Sequence, residues 1–210
     1  MADDTAASDT KKARVESVNR GFATEPASWA TVLAFARDQA GEASVGRGPK
    51  RTTEVEERYN RYKEWCAQRG HTGVELVLIL SAWVQVDGRR IALEPNVVPY
   101  HLQDGMEHWV LWYHPDDTAP STNLQGELCE NDVRAFFCTC TETLGPDELI
   151  AFQNPKEFRS VPEIAHAHVF LRPRTDEHAA TLAALRKDRR LRSPWAEAER
   201  LGGRAAQVGF

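Results

Sequence analysis

The pattern of hydrophobic and polar residues predicts helices in the first third of the chain. In the segment SWATVLAFARDQA, which begins at Ser28, apolar side chains recur at the spacing of one helical face. The segment TEVEERYNRYKEWCAQRG repeats that spacing, and it ends at Gly70, where a helix C-cap is expected. The residues that form these two stripes are Trp29, Val32, Leu33, Ala36, Tyr59, Tyr62, Trp65 and Cys66. Such stripes are typical of core packing, so we expect two amphipathic helices.

The apolar run VELVLILSAWV (74–84) admits two interpretations. Thr72 and Glu75 have the spacing of a helix capping box, which favours a third helix. A short apolar run is also typical of a buried strand, and periodicity alone does not distinguish the two. Helix and strand therefore both stay open for this run.

Alternating and β-rich segments predict a sheet in the rest of the chain. Asp87 and Gly88 stand between two β-rich pieces, which indicates a hairpin. The other predicted elements are strands at 107–115, 148–153 and 164–172, a helix at 127–144 and a last helix after Thr175. This order predicts an α+β domain, with an antiparallel sheet that carries helices on one face and follows N-terminal helices.

Length and composition predict one domain with two tails. The chain has 210 residues, which fits a single domain. Residues 1–24 are polar and lack periodicity, so we expect a disordered N-terminal tail. We expect the single α+β domain to span 25–200 and a loose C-terminal tail to span 201–210.

Charge and cysteine content bear on partners and location. The net charge of -5 gives no general reason to expect nucleic-acid binding, and the basic run at 186–192 is interpreted as a solvated helix face. The apolar run at 74–84 is too short to span a membrane. The first residues lack the apolar stretch of a signal peptide, and the four cysteines form no CxxC pair. We therefore expect a cytoplasmic protein with free thiols and with neither nucleic acid nor membrane as partner.

The candidate chemistry lies in the segment IAHAHVFLRPR (164–174). Because side chains alternate along a strand, His166 and His168 share one face with Phe170 and Arg172. The residues between them are small and apolar, as expected for a face that packs against a helix. The two imidazoles are therefore predicted to face outward or into a pocket formed by loops.

Three uses of such a pair are open on the residues alone. An imidazole can attack phosphorus when a neighbour holds its tautomer. Two imidazoles can also share a metal ion, with His101 or His108 as a further ligand. Alternatively, both can form structural hydrogen bonds, which is the commonest role of two histidines at this spacing.

Two blocks of the sequence resemble the N-acetylglucosamine-induced protein family, which is built on a domain of unknown function. The blocks are LEPNVVPYHLQDGMEHWVLWYHP and LIAFQNPKEFRSVPEIAHAHVFLRP, within a similarity that covers about residues 27–175. The family name implies a link to the amino-sugar response, and it implies no particular reaction.

The same blocks also resemble the signature of the histidine-triad superfamily, in which an H-x-H-x-H strand follows an asparagine. There, the middle histidine attacks the α-phosphate of a nucleotide. The resemblance implies that His168 is the nucleophile and that His166 positions it. It also implies that Asn96 faces the sugar and that Asn154 or Ser160 contacts the phosphate, and His108 is a further candidate for a ligand contact. Phe170 stands where the third histidine of the motif would lie.

These observations lead to one leading hypothesis and two alternatives. The first is a histidine-triad-like protein that binds or slowly turns over a phosphorylated ligand, a nucleotide or nucleotide sugar, with Arg172 as an anion contact. The second is a non-catalytic module of the N-acetylglucosamine response, with a surface formed by Trp109, Trp112 and Phe158. The third is a metal-dependent enzyme. The histidine-triad resemblance further implies that a homodimer can form.

Overall fold

A computed structural model describes residues 21–38, 48–117, 126–140, 148–154 and 159–190. This part of the chain contains five helices and five strands. The helices are α1 Trp29–Arg37, α2 Thr53–Gln68, α3 Gly73–Leu80, α4 Gly126–Cys140 and α5 Asp176–Arg190. The strands are β1 Val84–Val86, β2 Arg89–Pro95, β3 Glu107–Tyr113, β4 Leu149–Phe152 and β5 His166–Leu171.

The strands form one sheet in the order β1-β2-β3-β5-β4, and every neighbouring pair is antiparallel. The predicted hairpin joins β1 to β2. Asp87 and Gly88 both have positive φ, 47° and 78°, as a two-residue turn of type I′ requires. The α+β class and the antiparallel sheet are thus confirmed.

One face of the sheet carries the main core. Ala167, Val169 and Leu171 of β5 are buried there against residues of α4 and α5, such as Phe136 and Leu182. The prediction that the small apolar residues between the histidines pack against helices is confirmed.

The opposite face carries helices as well, beyond the one-face cover that the sequence indicated. Phe152 and Phe170 are fully buried there against Val32 of α1. Because two large aromatic side chains project from this face, leaving it open would expose a large apolar area to water. The histidine face is therefore an interior face.

The undecided apolar run forms a helix from Gly73 to Leu80. Thr72 accepts a hydrogen bond from the Glu75 backbone N–H at 3.1 Å, and Glu75 accepts one from the Thr72 N–H at 3.0 Å. Both bonds of the capping box are therefore present. The capping box therefore identifies the run as a helix, a choice between helix and strand that periodicity alone did not make.

Several further expectations can be placed against the structure. The predicted helix at 127–144 is confirmed over 127–140, and its remainder lies outside the described residues, as do 1–20 of the N-terminal tail and the whole C-terminal tail. Cys66, Cys129 and Cys138 are free thiols. Within the described ranges, no helix has the length and apolar character needed to cross a membrane.

Candidate functional site

A cavity of about 340 Å³ lies between the histidine face of the sheet and helices α2 and α3. Its wall includes apolar residues of both helices, such as Leu76 and Val77. The side chains of the wall that can form hydrogen bonds, ion pairs or stacking contacts with a ligand include Arg51, Lys63, Glu94, Trp112, Ser160, His166 and His168.

The sheet register brings both histidines to this cavity. Trp112 of β3 pairs with His166 of β5, and Val110 pairs with His168. The Trp112 and His166 rings lie 4.7 Å apart, and the two imidazole rings lie 6.2 Å apart. His166 is 3% exposed and His168 is 8% exposed, so the prediction of a pocket, rather than an outward-facing surface, is the one that holds.

The hydrogen bonds of His166 define its tautomer. Its Nδ1 lies 2.8 Å from the carbonyl oxygen of Ile164, which can only accept. Nδ1 therefore carries the proton, and Nε2 carries the lone pair. Burial lowers the pKa of His166, the bond to Ile164 partly offsets this, and the charge of Arg159 lowers the pKa further. His166 is a neutral imidazole with an accepting Nε2 in the cavity wall.

His168 is engaged at both ring nitrogens. Its Nδ1 lies 2.9 Å from Nε2 of His108, and its Nε2 lies 2.9 Å from the side-chain amide of Asn154. The Tyr100 backbone N–H donates to Nδ1 of His108 at 3.1 Å. Since Nδ1 of a neutral His108 accepts, its Nε2 must carry the proton and donate to His168.

The order of the protons continues to Asn154. His168 accepts at Nδ1, so its Nε2–H donates to the carboxamide of Asn154, which must present its oxygen. The oxygen and nitrogen of a carboxamide exchange by a half-turn, and the hydrogen-bond network selects the orientation. Asn154 thus fixes His168 from one side while His108 fixes it from the other.

Asn96 braces His108 and the following loop. Its Oδ1 accepts from the Val98 N–H at 2.9 Å, and its Nδ2 lies 3.5 Å from Nδ1 of His108, the ring nitrogen that accepts. Asn96 was predicted to contact a sugar, and the structure places it in the cavity wall with these internal partners.

Burial keeps the coupled imidazoles neutral. Burial is the largest cause that lowers the pKa of His108 well below its usual value, and the charges of His168 and Arg51 lower it further. Burial, His166 and Arg51 together lower the pKa of His168 to about 3. A positive charge on either ring is thus strongly disfavoured in the folded protein.

The two cationic side chains of this site, Arg51 and Lys63, were not predicted from the sequence. Arg51 lines the cavity; its Nε donates to the Val98 carbonyl at 2.9 Å and its Nη1 pairs with Glu56 at 3.1 Å. Lys63 also lines it, with Nζ 4.6 Å from the centre of the Tyr59 ring. Arg51 lies just before α2 in the Gly-rich segment GEASVGRGPKRT (41–52), and no local pattern singles it out.

The other predicted residues divide between two regions. Ser160 lies in the wall of the histidine cavity. Arg172 does not line it: its guanidinium stacks 4.6 Å from the centre of the Trp29 ring. His101 and His108 line a second cavity of about 540 Å³, whose wall also contains Arg58 and Arg186. The structure therefore brings together His166, His168, Asn154, Asn96, His108 and Ser160, and it separates Arg172 and His101 from His166.

The prediction of a surface formed by Trp109, Trp112 and Phe158 is wrong for Trp109. Trp109 is 1% exposed and belongs to the main core on the opposite face of the sheet. The alternation of β3 separates it from Trp112, which faces the histidine cavity. Phe158 lies outside the described residues.

The metal hypothesis finds no ligand cluster in the described part of the chain. There, no group of three or more histidine, cysteine, aspartate or glutamate side chains is arranged to hold a metal ion. His108 and His168 instead share a hydrogen bond.

Fold and site together define an α+β protein with a five-stranded antiparallel sheet and a histidine-lined cavity on one face. The model of the family described as "Protein of unknown function (DUF3605)" matches residues 47–172, which is more than half of the chain. The chain belongs to this family. All the residues that line the histidine cavity lie within the matched range.

The other comparisons add little to this assignment. No curated protein matches the chain. A solved structure titled "Crystal Structure of HTC1" is similar at 20% identity and a TM-score of 0.48, with coverage of 80% of this chain and 97% of that one. The resemblances to the N-acetylglucosamine-induced family and to the histidine-triad superfamily stay hypotheses.

Proposed function

We propose that this protein is a cytoplasmic, histidine-triad-like protein that binds, or slowly turns over, a phosphorylated small molecule in the histidine cavity. His166 is the residue that approaches the phosphorus atom. The ligand is of the nucleotide or nucleotide-sugar class that the resemblance implies.

The bond between His166 Nδ1 and the Ile164 carbonyl carries this proposal. It holds the proton on Nδ1 and leaves the Nε2 lone pair for the ligand. His168, the nucleophile that the resemblance implied, already uses both nitrogens within the protein. The roles of the two histidines are therefore exchanged in our proposal.

This exchange also gives the motif a different register. When His166 takes the middle position of H-x-H-x-H, Ile164 takes the first position and His168 the third. Phe170 then lies outside the motif and packs on His108, with 4.6 Å between the ring centres. The absence of an imidazole at Phe170 no longer counts against the site, although the first position lacks one.

The surrounding side chains suit an anionic group. Arg51 and Lys63 place two positive charges in the cavity wall, and the Ser160 hydroxyl can donate a hydrogen bond. Arg159, whose charge acts on His166, donates from Nε to the Asn154 carbonyl at 2.7 Å. A phosphate at His166 would lie in this positive environment.

Turnover at this site would follow from the same geometry. A bond forms between Nε2 and phosphorus while the bond from phosphorus to the leaving oxygen breaks, and its electron pair stays on that oxygen. The imidazole then carries a positive charge, which the Nδ1–H bond to the Ile164 carbonyl stabilises. Water would later attack phosphorus and release His166.

The test compares ligand-induced thermal stabilisation of the wild type, His166→Asn and His178→Asn. The ligands are nucleotides, sugar phosphates, nucleotide sugars and divalent metal ions. The Nδ2 of asparagine can replace His166 Nδ1 at Ile164, whereas the Nε2 lone pair is lost. His178 lies on α5, outside the histidine cavity, and serves as the matched control.

We expect a phosphorylated ligand to raise the midpoint of unfolding of the wild type and of His178→Asn, but not of His166→Asn. Stabilisation by a metal ion alone would favour the metal-dependent alternative. If no ligand stabilises the wild type, the proposal fails. The non-catalytic role in the N-acetylglucosamine response, which rests on the sequence resemblance, would then lead.

A further inference from the structure

Trp112 contacts the imidazole that the proposed reaction would charge. Its indole lies against His166, with 4.7 Å between the ring centres and 41° between the ring planes. The two residues pair directly across β3 and β5, and both line the histidine cavity. A cation within about 6 Å of the centre of an indole is attracted by the electrons of the ring face. The two rings are therefore close enough for a cation–π interaction.

The pairing of the strands holds the indole in this position. On its other side, Trp112 pairs with Ala92 of β2. Directly opposite residues of an antiparallel pair share one face of the sheet, so the small methyl group of Ala92 leaves room for the indole. Trp112 forms no hydrogen bond with any residue that the structure describes. Packing within the sheet, rather than a polar partner, thus keeps the indole beside His166.

A positive charge on His166 would find few groups that stabilise it. The ring is buried, and the charge of Arg159 also disfavours a cation there. In the part of the chain that the structure describes, no carboxylate forms a hydrogen bond or an ion pair with this imidazole. Its hydrogen bond goes to the Ile164 carbonyl, and both nitrogens of the neighbouring His168 ring already have partners. The indole of Trp112 is therefore a second group, beside the Ile164 carbonyl, that can stabilise the charge.

We propose that Trp112 is a positioning residue that accelerates turnover by stabilising the positive charge that His166 acquires. The inference rests on the function proposed above and concerns its chemical step. In that step Nε2 gives its lone pair to phosphorus, the leaving oxygen keeps the electron pair of the broken bond, and the ring gains one positive charge. Water later displaces the ring from phosphorus, releases one proton to the solvent and restores the neutral imidazole. Since the charge exists only between these events, Trp112 should affect the rate more than the affinity.

Variants at two tryptophans separate this interaction from ordinary packing. Trp112→Phe keeps an aromatic ring that attracts cations less strongly, and Trp112→Leu removes the aromatic face. Trp83 is the matched control, because its indole lies 4.8 Å from the ring of His114, outside the histidine cavity. Trp83→Phe and Trp83→Leu therefore make the same changes beside a histidine that takes no part in the proposed reaction.

The experiment measures single-turnover release of p-nitrophenolate from the p-nitrophenyl ester of AMP by the full chain. We expect Trp112→Phe to slow this step by about threefold and Trp112→Leu by about tenfold, as the loss of a partly desolvated cation–π contact implies. The Trp83 variants should keep the wild-type rate. The affinity for AMP, measured by calorimetry, should stay within about twofold of the wild type in Trp112→Phe, because AMP leaves His166 uncharged.

Replacing every tryptophan by 5-fluorotryptophan gives a readout that packing alone would not change. Fluorine withdraws electrons from the face of the indole and leaves its shape nearly the same. We expect this replacement to slow the step by about twofold in the wild type and in Trp83→Phe, and to have no effect in Trp112→Phe.

The outcomes separate the two proposals. If the wild type binds neither AMP nor its ester, the proposed function fails for nucleotides, and this inference fails with it. If the wild type binds AMP but releases no p-nitrophenolate, or if fluorination has no effect that depends on Trp112, binding at His166 stands and the inference is overturned. Equal slowing by Trp112→Phe and Trp83→Phe would also overturn it, because the effect would not be specific to the ring of His166.

Discussion

His108 Nε2 donates a hydrogen bond to His168 Nδ1 over 2.9 Å, between adjacent strands β3 and β5. Both rings are buried, and each has a further fixed partner, the Tyr100 N–H for His108 and Asn154 for His168. This pair is an internal brace that leaves His166 to face the ligand.

Removal of His168 should cost more stability than alteration of His166. His168→Ala opens a cavity and leaves His108 and Asn154 without their partner, for an expected loss of about 2–4 kcal/mol. His166→Asn can keep the Ile164 bond, so we expect a loss of about 1 kcal/mol. Urea unfolding measures both. Equal losses would show that the two histidines contribute equally to the free energy of unfolding.

The buried imidazoles should make the protein sensitive to acid. The unfolded chain protonates its histidines near pH 6.5, whereas His168 in the folded protein has a pKa of about 3. Between these values the unfolded state holds more protons, so the free energy of unfolding falls as the pH falls below about 6.5. Each such histidine contributes up to about 1.4 kcal/mol per pH unit.

His168→Ala tests the sign and the origin of this dependence. We expect the slope of unfolding free energy against pH to decrease by about 1 kcal/mol per unit between about pH 5 and about pH 6. Urea unfolding at several pH values gives the slopes. An unchanged slope would mean that His168 is not kept neutral by the fold.

The opposite face of the sheet carries a second polar network, at Asp132. Its carboxylate accepts from Tyr113 Oη at 2.8 Å and from Arg89 Nη2 at 2.6 Å, and the residue is 3% exposed. Burial raises the pKa of Asp132, so the carboxylate depends on these partners. Asp132→Ala should cost about 3–4 kcal/mol, because it leaves both donors unpaired.

Tyr113→Phe should cost about 1 kcal/mol, since only one hydrogen bond is lost. In the double variant the two losses should fall short of additivity by at least about 0.5 kcal/mol, because they share an interaction. Urea unfolding of the two single variants and the double variant gives the coupling. Strict additivity would show that Tyr113 and Asp132 do not act as a pair.

Ligand binding should depend on Arg51 and not on Arg172. Arg51 lines the histidine cavity, whereas the guanidinium of Arg172 stacks on Trp29. With AMP as the probe, Arg51→Gln should weaken binding by about tenfold, the loss expected for one charge-assisted contact. Arg172→Gln should leave the affinity within about twofold of the wild type. The opposite order would place the phosphate at the other end of β5.

The elements of the sheet could be predicted because their signals are local. Asp87-Gly88 defines a turn by itself, and the alternation along β5 separates the histidines from the apolar residues between them. The run at 74–84 was undecided because its periodicity is weak, and the Thr72 cap had to supply the decision. The burial of the second sheet face depends on helix α1, which lies far from β5 in the sequence. No local pattern links α1 to Phe170.

The site could be predicted only where its residues belong to the motif. His166, His168, Asn154 and Ser160 were found from the sequence, but the roles of the two histidines depend on hydrogen bonds to Ile164 and His108. Those bonds follow from backbone geometry and strand pairing. Arg51 was missed because only the packing of its loop beside Val98 brings it to the cavity.

The most direct measurement is a nitrogen-15 NMR spectrum of the histidine rings, recorded with and without AMP. We expect the Nδ1–H tautomer for His166 and the Nε2–H tautomer for His108 and His168. We also expect AMP to shift the Nε2 resonance of His166 and to leave those of His168 nearly unchanged. An Nε2–H tautomer at His166, or an AMP-induced shift at His168 and not at His166, would contradict the proposed roles of the two histidines.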